Sequence, residues 1–156
     1  MGLGSRAFSA AGVLMSKPAM RPMTRFFSDL HTRLYRLTRG AARNPHYPTM
    51  LLTVTGRKTG TPRTVPLIYV EDGGRLVIAA AYAGSDSDPA WWLNLRATPD
   101  AVAQIGTRTF PVRAALAPAA QRDELWRRLV EMYPYFTGYQ QRTSREIPVV
   151  ILTPRG

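Results

Sequence analysis

Between Thr49 and Ala81 the chain reads TMLLTVT, GRKTG, TPRTVPLIYV, EDGG, RLVIAAA: three short apolar runs, cut by two glycine-bearing turn signals. Many of the apolar residues are β-branched. Runs this short are strands rather than helices, and gaps this short join antiparallel neighbours. The same pattern returns in AVAQIG, RTFPVRAAL and, near the C-terminus, IPVVIL. Pro66 cannot donate to a ladder, so the second strand, RTVPLIYV, is expected at a sheet edge or with a bulge.

Helical signals are fewer. A helix is expected to open at Pro89, with Asp88 as N-cap, and to cover AWWLNLRA. Pro118 opens a longer one through Met132, with Leu125, Trp126, Leu129 and Met132 at core spacing, and YFTGYQQR carries a short helical stretch. A doubly wound sheet would alternate strands with helices, and this order does not. The expectation is a mainly β (α+β) antiparallel barrel of about six strands with peripheral helices.

The 156 residues suffice for one domain with one core. Residues 1–22, which include AFSAAGVLM, read as a poorly ordered leader, or as an upstream extension with the start at Met15, Met20 or Met23. Residues 23–156 read as the single domain. It begins with an amphipathic basic helix: Thr24 as N-cap, Phe26, Phe27, Leu30, Leu34 and Leu37 on one face, and Gly40 as stop. Arg25, Arg33, Arg36 and Arg39 fill the other face, which also suits peripheral contact with anionic lipid. No run approaches the ~20 apolar residues of a membrane span.

Net charge is +11, placed unevenly. Residues 1–63 carry eleven Lys/Arg against Asp29 alone, and the remainder is close to neutral. With no cysteine and only His31 and His46, thiolate chemistry is excluded and a dedicated zinc site has too few ligands. There is no Gly-x-Ser-x-Gly elbow and no Gly-x-Gly-x-x-Gly. Lys58 precedes Gly60, whereas a Walker loop has its lysine after the glycine. The acids are scattered, so paired-carboxylate chemistry has no support. An enzyme so poor in acid–base groups needs a cofactor to do the chemistry.

The charge run ends at one hairpin, where Arg57, Lys58 and Arg63 surround Gly60. Glycine lets backbone N–H groups approach an anion, arginine offers a planar fork and lysine a point charge. Nucleic acid is disfavoured as the anion, because the neighbours are Thr and Pro rather than exposed aromatics.

Three segments, LLTVTGRKTGTPRTVPLIYV, DPAWWLNLRATPDAVAQIGTRTFPVRA and MYPYFTGYQQRTSREIPVVIL, resemble the deazaflavin-dependent nitroreductase family of actinobacteria. The resemblance covers about Leu51 to Leu152. It implies a split β-barrel that binds coenzyme F420, a deazaflavin carrying a phosphate and an oligoglutamate tail. It further implies hydride transfer to a quinone, enone or nitroaromatic acceptor by a cytoplasmic enzyme, in contact with the membrane if its basic helix touches lipid. Arg57, Lys58, Thr59, Gly60, Thr61, Pro62, Arg63 and Pro66 would then face the anionic part of the cofactor. Ala79, Ala80 and Ala81 would leave room for its flat ring, and Asn94 matches a position near the cofactor. Ile68, Tyr82, Tyr133, Phe136 and Tyr139 would line the acceptor side, with Tyr133 or Tyr139 (or water) as proton donor. Where the family commonly has Ser-Lys after the third strand, this chain has Ala81-Tyr82, which counts against nitroimidazole reduction. Alternatives are a non-catalytic deazaflavin carrier, an FMN-dependent reductase on the same barrel and, further off, a nucleic-acid module.

Overall fold

The computed structural model describes residues 46–156; the leader and the amphipathic basic helix expected ahead of Gly40 lie outside the described residues. Seven strands form one antiparallel sheet: β1 (Thr49–Thr55), β2 (Pro62–Ile68), β3 (Val70–Asp72), β4 (Arg75–Ala79), β5 (Asp100–Ile105), β6 (Arg108–Leu116) and β7 (Val149–Pro154). Their order is β2-β1-β5-β6-β7-β4-β3, so β2 is an edge strand, as Pro66 requires. Helices are α1 (Ala90–Ala97), α2 (Ala119–Met132) and α3 (Tyr135–Gln141).

The antiparallel barrel is as expected, with seven strands where about six were read, because the run after the basic hairpin breaks at Tyr69. The Tyr69 N–H donates to Pro48 O at 3.1 Å, outside the ladder. Its ring turns into the barrel while Ile68 and Val70 pack outside. The edges β2 and β3 are thus consecutive in sequence, joined by this one residue.

Period-two alternation assigns the two faces of the sheet. Leu76 and Ile78 of β4, and Val150 and Leu152 of β7, point inward to a core with Met50, Leu52, Val54, Ala103 and Val112. Val77, Val149 and Ile151 point outward, where Leu125 and Leu129 of α2 cover them. Each such side chain contributes roughly 1.5–3 kcal/mol by leaving water. Helix α1 belongs to the inner core through Trp92 and Leu95.

The N-cap of α1 is Pro89, with no side-chain cap bond. The expected cap, Asp88, instead accepts from Arg145 at 3.1 Å. A half-buried guanidinium is a stronger claim on that carboxylate than a backbone N–H.

Candidate functional site

The β1–β2 hairpin keeps its shape through its own backbone. Gly56 N–H donates to Thr61 O at 2.8 Å, and Gly60 N–H to Gly56 O at 2.7 Å. Gly60 sits at φ +72°, a conformation glycine adopts without strain. Its N–H is therefore committed within the turn and is not available to a ligand as the sequence suggested. Arg57, Lys58, Thr59, Gly60, Thr61, Pro62 and Arg63 are all exposed. The Thr59 and Thr61 hydroxyls bond each other at 2.6 Å. Pro66 lies further down β2, half-buried and opposite Leu51.

Asn94, buried on α1, joins this tip to the barrel. Its Oδ1 accepts from Arg57 N at 3.1 Å and from Arg57 Nη1 at 2.9 Å. A buried carboxamide must find partners, and here one oxygen fixes both the backbone and the guanidinium of the first tip cation.

A second group of candidates meets on the outer face. Ala81, Tyr133, Phe136 and Tyr139 are buried in one cluster, and Ile68, Ala79, Tyr47 and Ala83 pack against it. Ala80, by alternation, faces the inner core. Tyr133 caps the end of α2, Pro134 breaks the chain, and Phe136 and Tyr139 lie on α3. The three rings therefore come from two elements rather than one helical face, yet their centroids stay within 6.1 Å of one another.

The Tyr133 and Tyr139 hydroxyls are 3.1 Å apart. Burial, reinforced by that bond, raises the Tyr133 phenol well above the ordinary tyrosine value. Tyr47 meets the Tyr133 ring edge-on at 5.0 Å, a contact sequence reasoning did not foresee.

Between the two groups runs the loop after β4. Tyr82 (φ 46°), Ala83 (φ 51°) and Gly84 (φ 80°) are consecutive left-handed residues, with Tyr82 half-buried. For the two non-glycines this costs on the order of 1–2 kcal/mol each. Gly84 could not be otherwise: a Cβ there would lie 2.6 Å from Tyr139 O.

Arg145, also unforeseen, holds this turn. Its guanidinium donates to Ala80 O at 3.1 Å, Ala81 O at 2.9 Å and Ser85 O at 2.8 Å, and pairs with Asp88. Desolvation lowers its pKa and the Asp88 charge opposes that. Asp88 also faces Arg96 of α1 at 3.8 Å, so α1 is the element on which both groups of candidates lean.

Residues 27–154 match the F420H(2)-dependent quinone reductase family. The chain belongs to that family. An F420H(2)-dependent quinone reductase of Mycobacterium tuberculosis is 40% identical over 134 residues, spanning 81% of this chain and 89% of that protein. An F420-H2 dependent reductase of known structure is 37% identical with a TM-score of 0.63, over 67% of this chain and 93% of that one. The HutZ heme storage protein of Vibrio cholerae shares the fold at 13% identity and a TM-score of 0.53, over 80% of this chain and 89% of that one. The fold is the split barrel, and this family member is an oxidoreductase with F420H2 as hydride donor.

The residues present suit such a cofactor. An anionic tail needs exposed cations near turn N–H groups, and the tip of this quinone reductase family member offers Arg57, Lys58 and Arg63. A flat ring needs backbone without bulk, and β4 ends on the small, half-buried Ala79, followed by the buried Ala80 and Ala81. Among the described residues, no cluster could hold a metal ion, and no helix is long and apolar enough to cross a membrane.

Proposed function

We propose that this protein reduces quinones with F420H2 in a site that runs from the β1–β2 hairpin to the Tyr133–Tyr139 pair, within a domain spanning residues 23–156. The observation that carries the reading is the anchoring of Arg57 by Asn94, which presets a cationic tip for a polyanionic cofactor. When bound, the reduced deazaflavin supplies a hydride. Arg57, Lys58 and Arg63 bind phosphate and carboxylates by charge-assisted bonds, with the Lys58 and Thr59 N–H groups beside them. Thr61, Pro62 and Pro66 border the tail, and the floor for the ring is the outer face at Ala79 together with the backbone of Ala80 and Ala81.

On the acceptor side, Ile68 and Tyr82 are half-buried, and Tyr133, Phe136 and Tyr139 form the apolar wall behind them. The Tyr133 hydroxyl, protonated at neutral pH like any phenol and bonded to that of Tyr139, can pass a proton to a developing quinone oxyanion directly or through Tyr139. Flat apolar quinones and enones suit this wall better than nitroimidazoles, because Ala81 supplies no hydroxyl. A cytoplasmic setting, with the basic segment ahead of Gly40 touching anionic lipid, completes the reading.

Fluorescence titration with the deazaflavin and with FMN, followed by turnover with menadione, tests it. Tighter deazaflavin binding and menadione reduction above that of a bicyclic nitroimidazole are expected. Equal or tighter FMN binding would overturn the cofactor assignment, and binding without turnover would make the protein a carrier.

A further inference from the structure

The guanidinium of Arg145 spends all five of its N–H donors on one short stretch. Nε donates to Ser85 O, Nη1 to Ala80 O and Asp88 Oδ1, and Nη2 to Ala80 O and Ala81 O. Those carbonyls converge because the chain between them turns left-handed through Tyr82, Ala83 and Gly84. Within the turn itself only two bonds hold, Gly84 N–H to Ala81 O at 2.9 Å and Ser85 N–H to Tyr82 O at 3.0 Å. Two non-glycine residues do not stay in that conformation unless their surroundings over-determine it.

The turn has the end of β4 at Ala79, followed by Ala80 and Ala81, on one side. On the other, Gly84 lies against the backbone of Tyr139, too close for any side chain. Its geometry therefore sets the register between the proposed ring floor and the tyrosine pair. Arg145 is itself fixed: its N–H donates to Thr143 Oγ1 at 3.3 Å, and its carbonyl accepts from Gln140 Nε2 at 2.8 Å.

We propose that Arg145 is a positioning residue. It clamps the Ala80, Ala81 and Ser85 carbonyls, keeps the Tyr82–Gly84 turn left-handed, and so aligns the cofactor floor with Tyr133 and Tyr139. This rests on the assignment of Ala79–Ala81 to the cofactor. Lysine cannot replace the fork, since one ammonium cannot reach three carbonyls and a carboxylate together.

The test compares Arg145→Lys with the double variant Arg145→Lys/Ala83→Gly. In Arg145→Lys, the deazaflavin Kd is expected to rise and kcat with menadione to fall, each by roughly five- to tenfold, with KM for menadione within about twofold. Amide exchange at Gly84 and Ser85 should accelerate. Glycine adopts the left-handed conformation without strain, so Ala83→Gly in that background should recover most of the affinity and slow the exchange. Unchanged affinity and kcat with only a lower Tm would overturn the proposal, as would impairment that Ala83→Gly leaves untouched. If Arg145→Lys does not fold, Asp88→Asn weakens the clamp by removing the counter-charge that orients Arg145, together with the 3.8 Å contact to Arg96. A Kd raised about two- to threefold is expected there, and an unchanged one would count against the clamp. Failure of the unaltered protein to bind deazaflavin would overturn the cofactor assignment instead; the turn is then read from Gly84 and Ser85 exchange alone.

Discussion

One oxygen of Asn94 holds two groups of Arg57, the backbone N–H at 3.1 Å and Nη1 at 2.9 Å. The hairpin tip is thereby tied to α1, which the inner core holds rigid through Trp92 and Leu95. Asn94→Ala should leave the Arg57 N–H without its acceptor, costing about 1–3 kcal/mol of stability. Deazaflavin affinity should fall roughly tenfold, because the first cation is no longer pre-placed. Asn94→Asp separates the two effects. It keeps the acceptor and the fold but partly neutralises Arg57, so affinity should drop while Tm holds. Paired melting curves and fluorescence titrations read both, and unchanged affinity in the two variants would detach the tip from the cofactor.

Lys58 is exposed and makes no bond within the described residues. Lys58→Ala should therefore leave Tm alone, raise the deazaflavin Kd about three- to tenfold, and flatten its dependence on salt. A large drop in Tm at constant affinity would mean that the tip serves folding instead.

Tyr133 combines burial with a hydroxyl partner. Tyr133→Phe should lower kcat for menadione more than it changes deazaflavin affinity, and it leaves the Tyr139 hydroxyl without this bond. The raised phenol also fixes the sign of a pH effect. Because the folded-state pKa lies above the unfolded value, its stabilisation is complete below the unfolded pKa of about 10 and is lost as pH rises beyond it. Denaturation midpoints between pH 8 and 11 (roughly the window set by that unfolded value) should fall less steeply in Tyr133→Phe than in the unaltered protein. Equal slopes would assign the alkaline limb to other groups.

Much of this was legible in one sequence, and the reason is local. β1, from Thr49 to Thr55, and β6, from Arg108 to Leu116, carry their own alternation and are bounded by their own turns, so the residues that define them lie within them. The basic tip was legible for the same reason. What was missed depends on distant partners. Tyr69 looks like any strand residue until Pro48 takes its N–H and the inner core takes its ring. Asp88 before Pro89 reads as a cap unless Arg145 is known to claim it. Nothing near Arg145 signals that it will serve carbonyls 60 to 65 residues earlier in the sequence; the one hint was Gly84, and glycine in a loop has many causes. The spacing of Tyr133, Phe136 and Tyr139 suggested one helical face. Pro134 divides it, and packing reunites the rings.

The strand order also dictates when the site can exist. β1 and β2 are neighbours in sequence and can pair as soon as both are made, so the cationic tip forms early. β4 can pair with β3 at once, but its end at Ala79 must wait for β7, its other partner from Leu76↔Leu152 to Ala79↔Val149, and β7 is synthesised after every other described strand of the sheet. Arg145 precedes β7 by only a few residues. Non-local pairings of this kind are the slow events of folding. The proposed anion-binding half therefore awaits its floor on the growing chain, and the complete cofactor site proposed above would be a property of the finished barrel alone.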